Sequence, residues 1–184
     1  MIHKGTTVLE TERLILRKFK IEDAQNMFEN WASDEMVTRF ITWPPHDSVN
    51  VTKAIIEEWV KNYQNLDFYQ WAIELKEIGE PIGSISVVSI NENVEALEIG
   101  YCIGRDWWHQ GYMSEAFSCI IDFLFNEVGA NRICAKHDTD NPNSGRVMLK
   151  CGLIYEGTLR QAGRNNTNSR CDLAVYAILK QGRG

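Results

Sequence analysis

The chain has 184 residues, of which 44% are hydrophobic and 24% are charged. This is enough for one packed core, and no shift in composition marks a second domain, so we predict a single domain over residues 1–184. The formal net charge of −6, without a long basic run, argues against a nucleic-acid-binding surface. The first residues lack the apolar segment of a secretory leader, and no run is long enough to span a membrane. We therefore predict a cytoplasmic protein with no membrane partner.

The cysteines and histidines do not have the spacing of metal ligands. The five cysteines are odd in number, lie within apolar segments and form no CxxC pattern, which predicts reduced thiols in the core. The histidines have no partner spacing, so no metal is expected.

The elements of the first half alternate between helical and strand periodicity. In chain order, the pattern predicts a strand over 13–19, a helix from 22 towards 31, a helix over 51–64 and strands over 68–75, 81–90 and 95–103. In the second helix, the residues expected among the buried positions are Ala54, Ile55, Trp59 and Val60. The three strands, separated by turn residues, indicate an antiparallel meander.

The second half continues with a helix from Met113 that ends at Gly129. Its apolar stripe consists of Met113, Ala116, Phe117, Ile120, Ile121, Leu124 and Val128. A strand over 132–137, a short helix over 141–152 and strands over 153–160 and 172–179 follow. This order predicts an α/β protein of the α+β three-layer kind with a mixed sheet.

The stretch "RDWWHQGYMSEA" at 105–116 is the strand-to-helix turn at the centre of this arrangement. Such a turn exposes free backbone N–H groups at the positive end of a helix, and Gly111 allows a ligand to approach closely. The turn is therefore either a phosphate-binding loop or an ordinary helix entry whose tryptophans belong to the core. No GxxxxGK[ST] motif occurs, which excludes a P-loop.

The segments "LEIGYCI", "WWHQGYMSEA", "NPNSGRVMLKCGL" and "YEGTLR", with the opening "TERLILR", resemble the GNAT acyl-CoA-dependent N-acetyltransferases. Within that family they are similar to the RimJ/RimL ribosomal-protein N-terminal acetyltransferases. The resemblance implies the GNAT fold, with a mixed, mostly antiparallel sheet of about seven strands flanked by helices. It also implies that acetyl-CoA is the co-substrate. The sequence leaves open whether the protein forms a homodimer. The loop matches the family at Trp108, Gly111, Tyr112, Glu115 and Ala116.

The loop departs from the family at two positions, where His109 replaces a common glycine and Met113 replaces a small residue. By resemblance, backbone amides of this loop hold the diphosphate. The cofactor-binding residues that the resemblance implies are Ile103, Trp108, His109, Gln110, Gly111, Tyr112, Met113, Ser114, Asn141 and Ser144.

The helix over 141–152 carries the second set of candidates. Asn141 precedes Pro142 and is either a helix N-cap or, by resemblance, a hydrogen-bond partner of the pantetheine arm. Ser144 either lies in the first helical turn or, by resemblance, protonates the departing thiolate. The family's tyrosine for that role is absent from "RVMLKCG", which favours Ser144. Arg146 and Lys150 share a helix face and either reach phosphates or form a solvated surface.

Glu98 is the candidate for the amine. Strand alternation places it on one face with Ala96, Gly100 and Cys102, so small residues surround the carboxylate. It is either a solvent-facing glutamate or, by resemblance, the catalytic base or amine-orienting group together with Ser144 as acid. His137 is a weaker candidate base. Cys102 has no histidine beside it, so we expect direct transfer without an acyl-enzyme.

The acceptor that the resemblance favours is the N-terminal α-amine of a ribosomal or other protein. A small amine such as a polyamine, amino acid or aminoglycoside is the alternative, and a non-catalytic CoA-binding regulatory module is the alternative of another class. The segments "WASDEMVTRFITWPPHDS" and "RQAGRNNTNSR" are predicted to set specificity, because they supply aromatic residues and arginines at loop positions.

Overall fold

The computed structural model describes residues 1–181 of the chain. Over these residues eight strands form one sheet: β1 (Leu9–Glu10), β2 (Leu14–Arg17), β3 (Gln70–Leu75), β4 (Glu80–Asn91), β5 (Ala96–Ile103), β6 (Arg132–Asp138), β7 (Ile154–Arg164) and β8 (Arg170–Leu179). The helices are α1 (Ala24–Met27), α2 (Glu35–Thr38), α3 (Val49–Asn62), α4 (Tyr112–Phe123) and α5 (Pro142–Lys150).

The strand order in the sheet is β1-β2-β3-β4-β5-β6-β8-β7. All neighbouring pairs are antiparallel except β5 and β6, which are parallel and are joined through α4. A parallel pair needs such a crossover, because the chain must return to the end of the sheet where the first strand began. The prediction of a mixed, mostly antiparallel sheet flanked by helices is confirmed, with the short edge strand β1 as an addition.

The core is divided by the sheet into two layers. The larger layer packs α4 against the sheet, and every residue of the predicted stripe from Met113 to Val128 is buried. Gly129 adopts φ 81° and ends this helical segment, as its position predicts. The smaller layer lies on the opposite face, where Trp31 and Ile56 from the α1 and α3 region pack around Ala72.

The burial predicted for α3 is wrong in part. Ala54 and Val60 are exposed and Ile55 and Trp59 are half-buried, while Thr52 and Ile56 are fully buried. These two buried residues are four apart, so the helix contacts the sheet along one narrow edge. The hydrophobic pattern alone does not show which edge that is.

The helix predicted from residue 22 is interrupted. It begins as a 3₁₀ turn at Ile21–Asp23, continues as α1 and widens into a π turn at Phe28–Ala32. Within the wide turn, the Asn30 amide donates to the Pro81 carbonyl at 2.8 Å. The Asn30 carbonyl would stand 2.3 Å from a Cβ added at Gly104, so the helix closely approaches the end of β5 and only glycine fits there.

No helix within residues 1–181 is long and apolar enough to cross a bilayer.

Strand β7 extends to Arg164, further than the sequence predicts, with register shifts at Tyr155/Gly157 and Leu159/Gly163. The segment expected to be a loop at 160–170 is therefore largely the end of the β7–β8 hairpin.

Candidate active site

The parallel strands β5 and β6 separate before they end. Their register runs from Ala96↔Arg132 to Ile99↔Ala135, while β5 continues to Ile103 and β6 to Asp138. On the other side β5 stays paired with β4, and the Gly104 N–H donates to the Ile82 carbonyl at 2.9 Å. Because N–H directions alternate along a strand, the Tyr101 and Ile103 N–H groups point into the opening between the strands.

Loop 104–111 leads from β5 into α4. It contains a 3₁₀ turn at Arg105–Trp107, and both His109 and Gly111 adopt left-handed conformations with φ 61° and 83°. Gly111 is the N-cap residue of the 12-residue helix α4, whose first N–H groups lack helical partners. The Trp108 indole donates to the Ile103 carbonyl at 2.9 Å and so fixes the loop to the strand end. His109, where the family commonly has a glycine, is therefore one of the two left-handed residues of this loop.

A charged cluster holds the loop in place. The Arg13 Nε donates to Glu115 at 2.7 Å, and the Arg13 Nη1 donates to the Gln110 carbonyl at 3.1 Å. The Thr11 hydroxyl donates to the same Glu115 carboxylate at 2.6 Å. Burial alone would raise the pKa of the Glu115 carboxyl, but the hydrogen bonds from Thr11 and Arg13 lower it overall. The ionised carboxylate thus connects the start of β2 to the first turn of α4.

A cleft of about 450 Å³ opens above this loop on the α4–α5 side, and we call it the first cleft. The predicted cofactor residues that line it are Ile103, Trp108, His109, Gly111, Tyr112, Met113, Ser114, Asn141 and Ser144. Gln110 is not part of this lining, because its side-chain amide donates to the Asp106 carbonyl at 2.8 Å.

The first cleft has the properties of an anion site. A Cβ at Gly111 would stand 3.5 Å from both Lys150 Nζ and Arg13 Nη2, so two cations flank the helix N-terminus. Arg146 lines the same cleft. Free N–H groups, a helix dipole and nearby cations together favour a phosphate group. Met113 borders the cleft but is only 5% exposed and packs in the core, so most of its extra bulk lies below the cleft surface.

The start of α5 differs in one respect from the sequence-based interpretation. Asn141 occupies the N-cap position, but its side chain makes no capping hydrogen bond. The N-cap position predicted for Asn141 is thus confirmed, but without the side-chain hydrogen bond of a cap. Asn141 also lines the first cleft and a second cleft on the opposite face of the sheet.

Ser144 has a partner that the sequence analysis missed. The Tyr101 hydroxyl donates to the Ser144 carbonyl at 2.9 Å and lies 3.0 Å from the Ser144 hydroxyl. Burial raises the pKa of the Tyr101 phenol, so this group is a neutral hydrogen-bond donor and acceptor. Strand alternation places Tyr101 opposite Glu98, on the side of α5, but no local signal pairs it with a residue 43 positions away.

The second cleft has a volume of about 570 Å³ and contains Glu98 and His137. The Lys136 ammonium donates to the Glu98 carboxylate at 2.7 Å. The His137 Nδ1 donates to the Asp138 carbonyl at 2.7 Å, while its Nε2 is buried without a hydrogen-bond partner in the described part of the chain. The predicted specificity segments contribute Phe40, Ile41, Thr42, Trp43, His46, Gly163 and Arg164 to the lining.

The two clefts meet at the place where β5 and β6 separate. The residues that line both are Phe40, Ile41, Tyr101, Cys102, Asn141 and Ser144. The Cys102 side chain is half-buried between the clefts, and desolvation raises the pKa of its thiol. A thiol with a raised pKa is a poor nucleophile, which argues against an acyl-cysteine at this junction.

An opening between parallel strands, next to a helix N-terminus that fits an anion, is the architecture of an acyl-CoA-dependent transferase site. A model of the acetyltransferase (GNAT) domain matches residues 13–154 of the chain. The chain therefore belongs to the GNAT family and is an N-acetyltransferase of that family, as the motif resemblance predicts.

Individual relatives agree with this assignment. The uncharacterized N-acetyltransferase YoaA of Bacillus subtilis is 35% identical over 173 residues, covering 94% of this chain and 97% of the relative. The ribosomal-protein-serine acetyltransferase of Escherichia coli is 36% identical over 98 residues, covering 53% and 54% of the two chains. The fold is similar to that of the solved structure of the RimL ribosomal L7/L12 α-N-protein acetyltransferase in complex with coenzyme A, with a TM-score of 0.83 at 20% identity, covering 94% and 98% of the two chains.

Proposed function

We propose that this protein binds acetyl-CoA in the first cleft and transfers the acetyl group directly to a primary amine in the second. The observation that carries the proposal is the meeting of the two clefts at Tyr101, Asn141 and Ser144. A donor and an acceptor that enter from opposite faces of the sheet can touch there without a covalent enzyme intermediate. The left-handed Gly111, the α4 N-terminus and the Lys150 ammonium suit the diphosphate of the donor.

Acetyl-CoA supplies a thioester carbon that an amine can attack. The Tyr101 and Ile103 N–H groups, which point into the strand opening, are the donors for the developing oxyanion. Glu98 accepts the proton of the amine directly or through water, and the ammonium of Lys136 fixes the orientation of its carboxylate. The Ser144 hydroxyl donates a hydrogen bond to the departing thiolate, which takes its proton from solvent, and the Tyr101 hydroxyl holds Ser144 in position.

The acceptor that we propose is the N-terminal α-amine of a protein or peptide. The relative from Escherichia coli, named as a ribosomal-protein acetyltransferase, supports this choice. The charges of the second cleft support it as well, because Glu98 and Asp138 are balanced there by Lys136 and Arg164. A polyamine or aminoglycoside carries several cations and would need an excess of carboxylates, which this lining does not offer.

An acceptor panel tests the proposal. The purified protein is mixed with acetyl-CoA and, separately, an alanine tripeptide amide, spermidine, free alanine and kanamycin, and both thiol release and the acetylated product are measured. We expect acetylated tripeptide as the main product. Coenzyme A binding without acetylation of any amine would instead indicate a non-catalytic CoA-binding module, and preferential acetylation of spermidine or kanamycin would move the acceptor to the small amines.

A further inference from the structure

Gln70 carries a buried side chain that nothing in the protein binds. It lies in β3, is 8% exposed and lines the second cleft. Its backbone is fully bonded, since its N–H donates to the Thr6 hydroxyl at 2.9 Å and its carbonyl accepts from the Tyr63 hydroxyl at 2.8 Å. Among residues 1–181, however, its side-chain carboxamide has no hydrogen-bond partner.

Gln70 is largely buried, but its carboxamide is not among the fully buried unpartnered polar atoms of the described chain, so it stays accessible from the cleft. Because folding takes most of this side chain out of bulk water without giving it a protein partner, the carboxamide is left under-satisfied. Such a group persists where it serves a ligand. A carboxamide offers one acceptor oxygen and two N–H donors, which is the complement of a peptide unit with its own N–H and C=O. A simple alkyl amine has no group that could satisfy both halves.

The sheet register places Gln70 at a defined distance from the reaction centre. Gln70 pairs with Ser86 in β4, and Ser86 pairs with Gly100 in β5, so the three residues form one row across the floor of the second cleft. Neighbouring strands lie about 4.8 Å apart, which puts the Gln70 and Gly100 backbones about 10 Å apart. Ser86 is small, whereas Val88 Cγ1 would stand 2.8 Å from a Cβ added at Gly100, so Val88 borders the row at its Gly100 end.

This distance corresponds to about two to three residues of peptide, since successive Cα atoms are about 3.8 Å apart. In the proposed function the amine reacts at the junction of the clefts, which Tyr101 lines, and Gly100 directly precedes Tyr101 in β5. A peptide that extends from there along the row would bring its second peptide unit close to the Gln70 carboxamide.

We propose that Gln70 determines specificity for acceptor length by hydrogen bonding to the second peptide unit of an N-terminal acceptor. This inference rests on the proposed acetyltransferase function and adds a requirement to it: a good acceptor has at least two peptide units beyond its amine. Free amino acids, amino-acid amides and polyamines lack that part of the recognition.

The test is a length series of acceptors with the same reacting amine. We measure kcat and KM for alanine amide, dialanine amide, trialanine amide and tetra-alanine amide with the wild type, Gln70→Leu and Gln64→Leu. Gln64 is exposed at the end of α3, outside both clefts, and provides the matched control. Gln70→Met is made in parallel, so that a folding failure of the leucine variant leaves the test intact.

In the wild type and in Gln64→Leu, we expect kcat/KM to be about tenfold higher for trialanine amide than for alanine amide, which corresponds to about 1.4 kcal/mol. In Gln70→Leu and Gln70→Met that ratio should fall to about one, through KM rather than kcat. An unchanged ratio in both Gln70 variants, or a flat length series in the wild type, overturns the inference while acetylation itself still stands. Failure to acetylate any member of the series overturns the proposed function instead.

Discussion

The substitution Gly111→Ala separates the binding role of loop 104–111 from its backbone conformation. Gly111 has φ 83°, and a Cβ there would meet Arg13 Nη2 and Lys150 Nζ at 3.5 Å, which is ordinary van der Waals contact. The cost to folding is therefore conformational, about 1–2 kcal/mol for an L-residue in the left-handed region. For a chain of this length, that cost lowers Tm by roughly 2–8 °C.

Gly129→Ala is the matched control. Gly129 has φ 81°, and a Cβ there meets nothing within 4 Å. It lies outside the first cleft, so the substitution has the same backbone cost without touching the anion site. We expect the two variants to lose similar stability, but only Gly111→Ala to lose affinity for coenzyme A. The added methyl group at position 111 would keep the phosphate from approaching the backbone closely. Loss of one N–H hydrogen bond to the charged phosphate, worth about 1.5–3 kcal/mol, weakens coenzyme A binding roughly 10–100-fold.

Thermal unfolding measures the stability of both variants, and titration calorimetry with coenzyme A measures their affinity. Equal coenzyme A affinity in the two variants would refute the assignment of loop 104–111 as the phosphate site. A loss of stability in Gly111→Ala much larger than in Gly129→Ala would refute the claim that the added methyl group meets no obstruction.

Three further experiments test the remaining parts of the site. Met113→Ala should lower the free energy of unfolding by about 2–5 kcal/mol, because Met113 is buried. Its affinity for coenzyme A should stay nearly unchanged, and a clearly tighter affinity in calorimetry would show that Met113 crowds the loop. Glu98→Gln should lower kcat by roughly 10²–10⁴ at neutral pH and recover part of it as the pH approaches the α-amine pKa of about 8; a wild-type pH–rate profile would remove Glu98 from the mechanism. Tyr101→Phe should lower kcat about tenfold. When combined with Ser144→Ala, it should lower kcat no further than Ser144→Ala alone, and additive losses of kcat in this double-mutant cycle would contradict the role of Tyr101 in positioning Ser144.

Several elements could be predicted from the sequence because their causes are local. The apolar stripe of α4 repeats at helical spacing, and Gly129 ends it by taking a left-handed conformation that glycine adopts without cost. Gly111 marks the other end of the same helix for the same reason. The alternation in β5 correctly places Glu98 and Cys102 on the face that lines the second cleft.

Predictions that depended on a distant neighbour were less successful. Hydrophobicity placed Ala54 and Val60 among the buried positions of α3, but Thr52 and Ile56 form its buried edge, because that edge depends on how the sheet approaches the helix. The N-cap interpretation of Asn141 used only the residues around Pro142. Asn141 does occupy the N-cap position, but its side chain makes no capping bond, and the residue lines both clefts.

The sequence by itself determined the order of the elements, the mixed sheet and the motifs of the acetyltransferase family, because periodicity, turn residues and short motifs are properties of neighbouring residues. Only the tertiary structure decided which side chains act together. Tyr101 meets Ser144 across 43 residues, and the Glu98 carboxylate meets Lys136 across 38. The unpartnered carboxamide of Gln70 likewise faces the second cleft through the pairing of β3, β4 and β5. Sheet register and the separation of β5 from β6 set these contacts, and both result from the packing of the whole sheet rather than from any one segment.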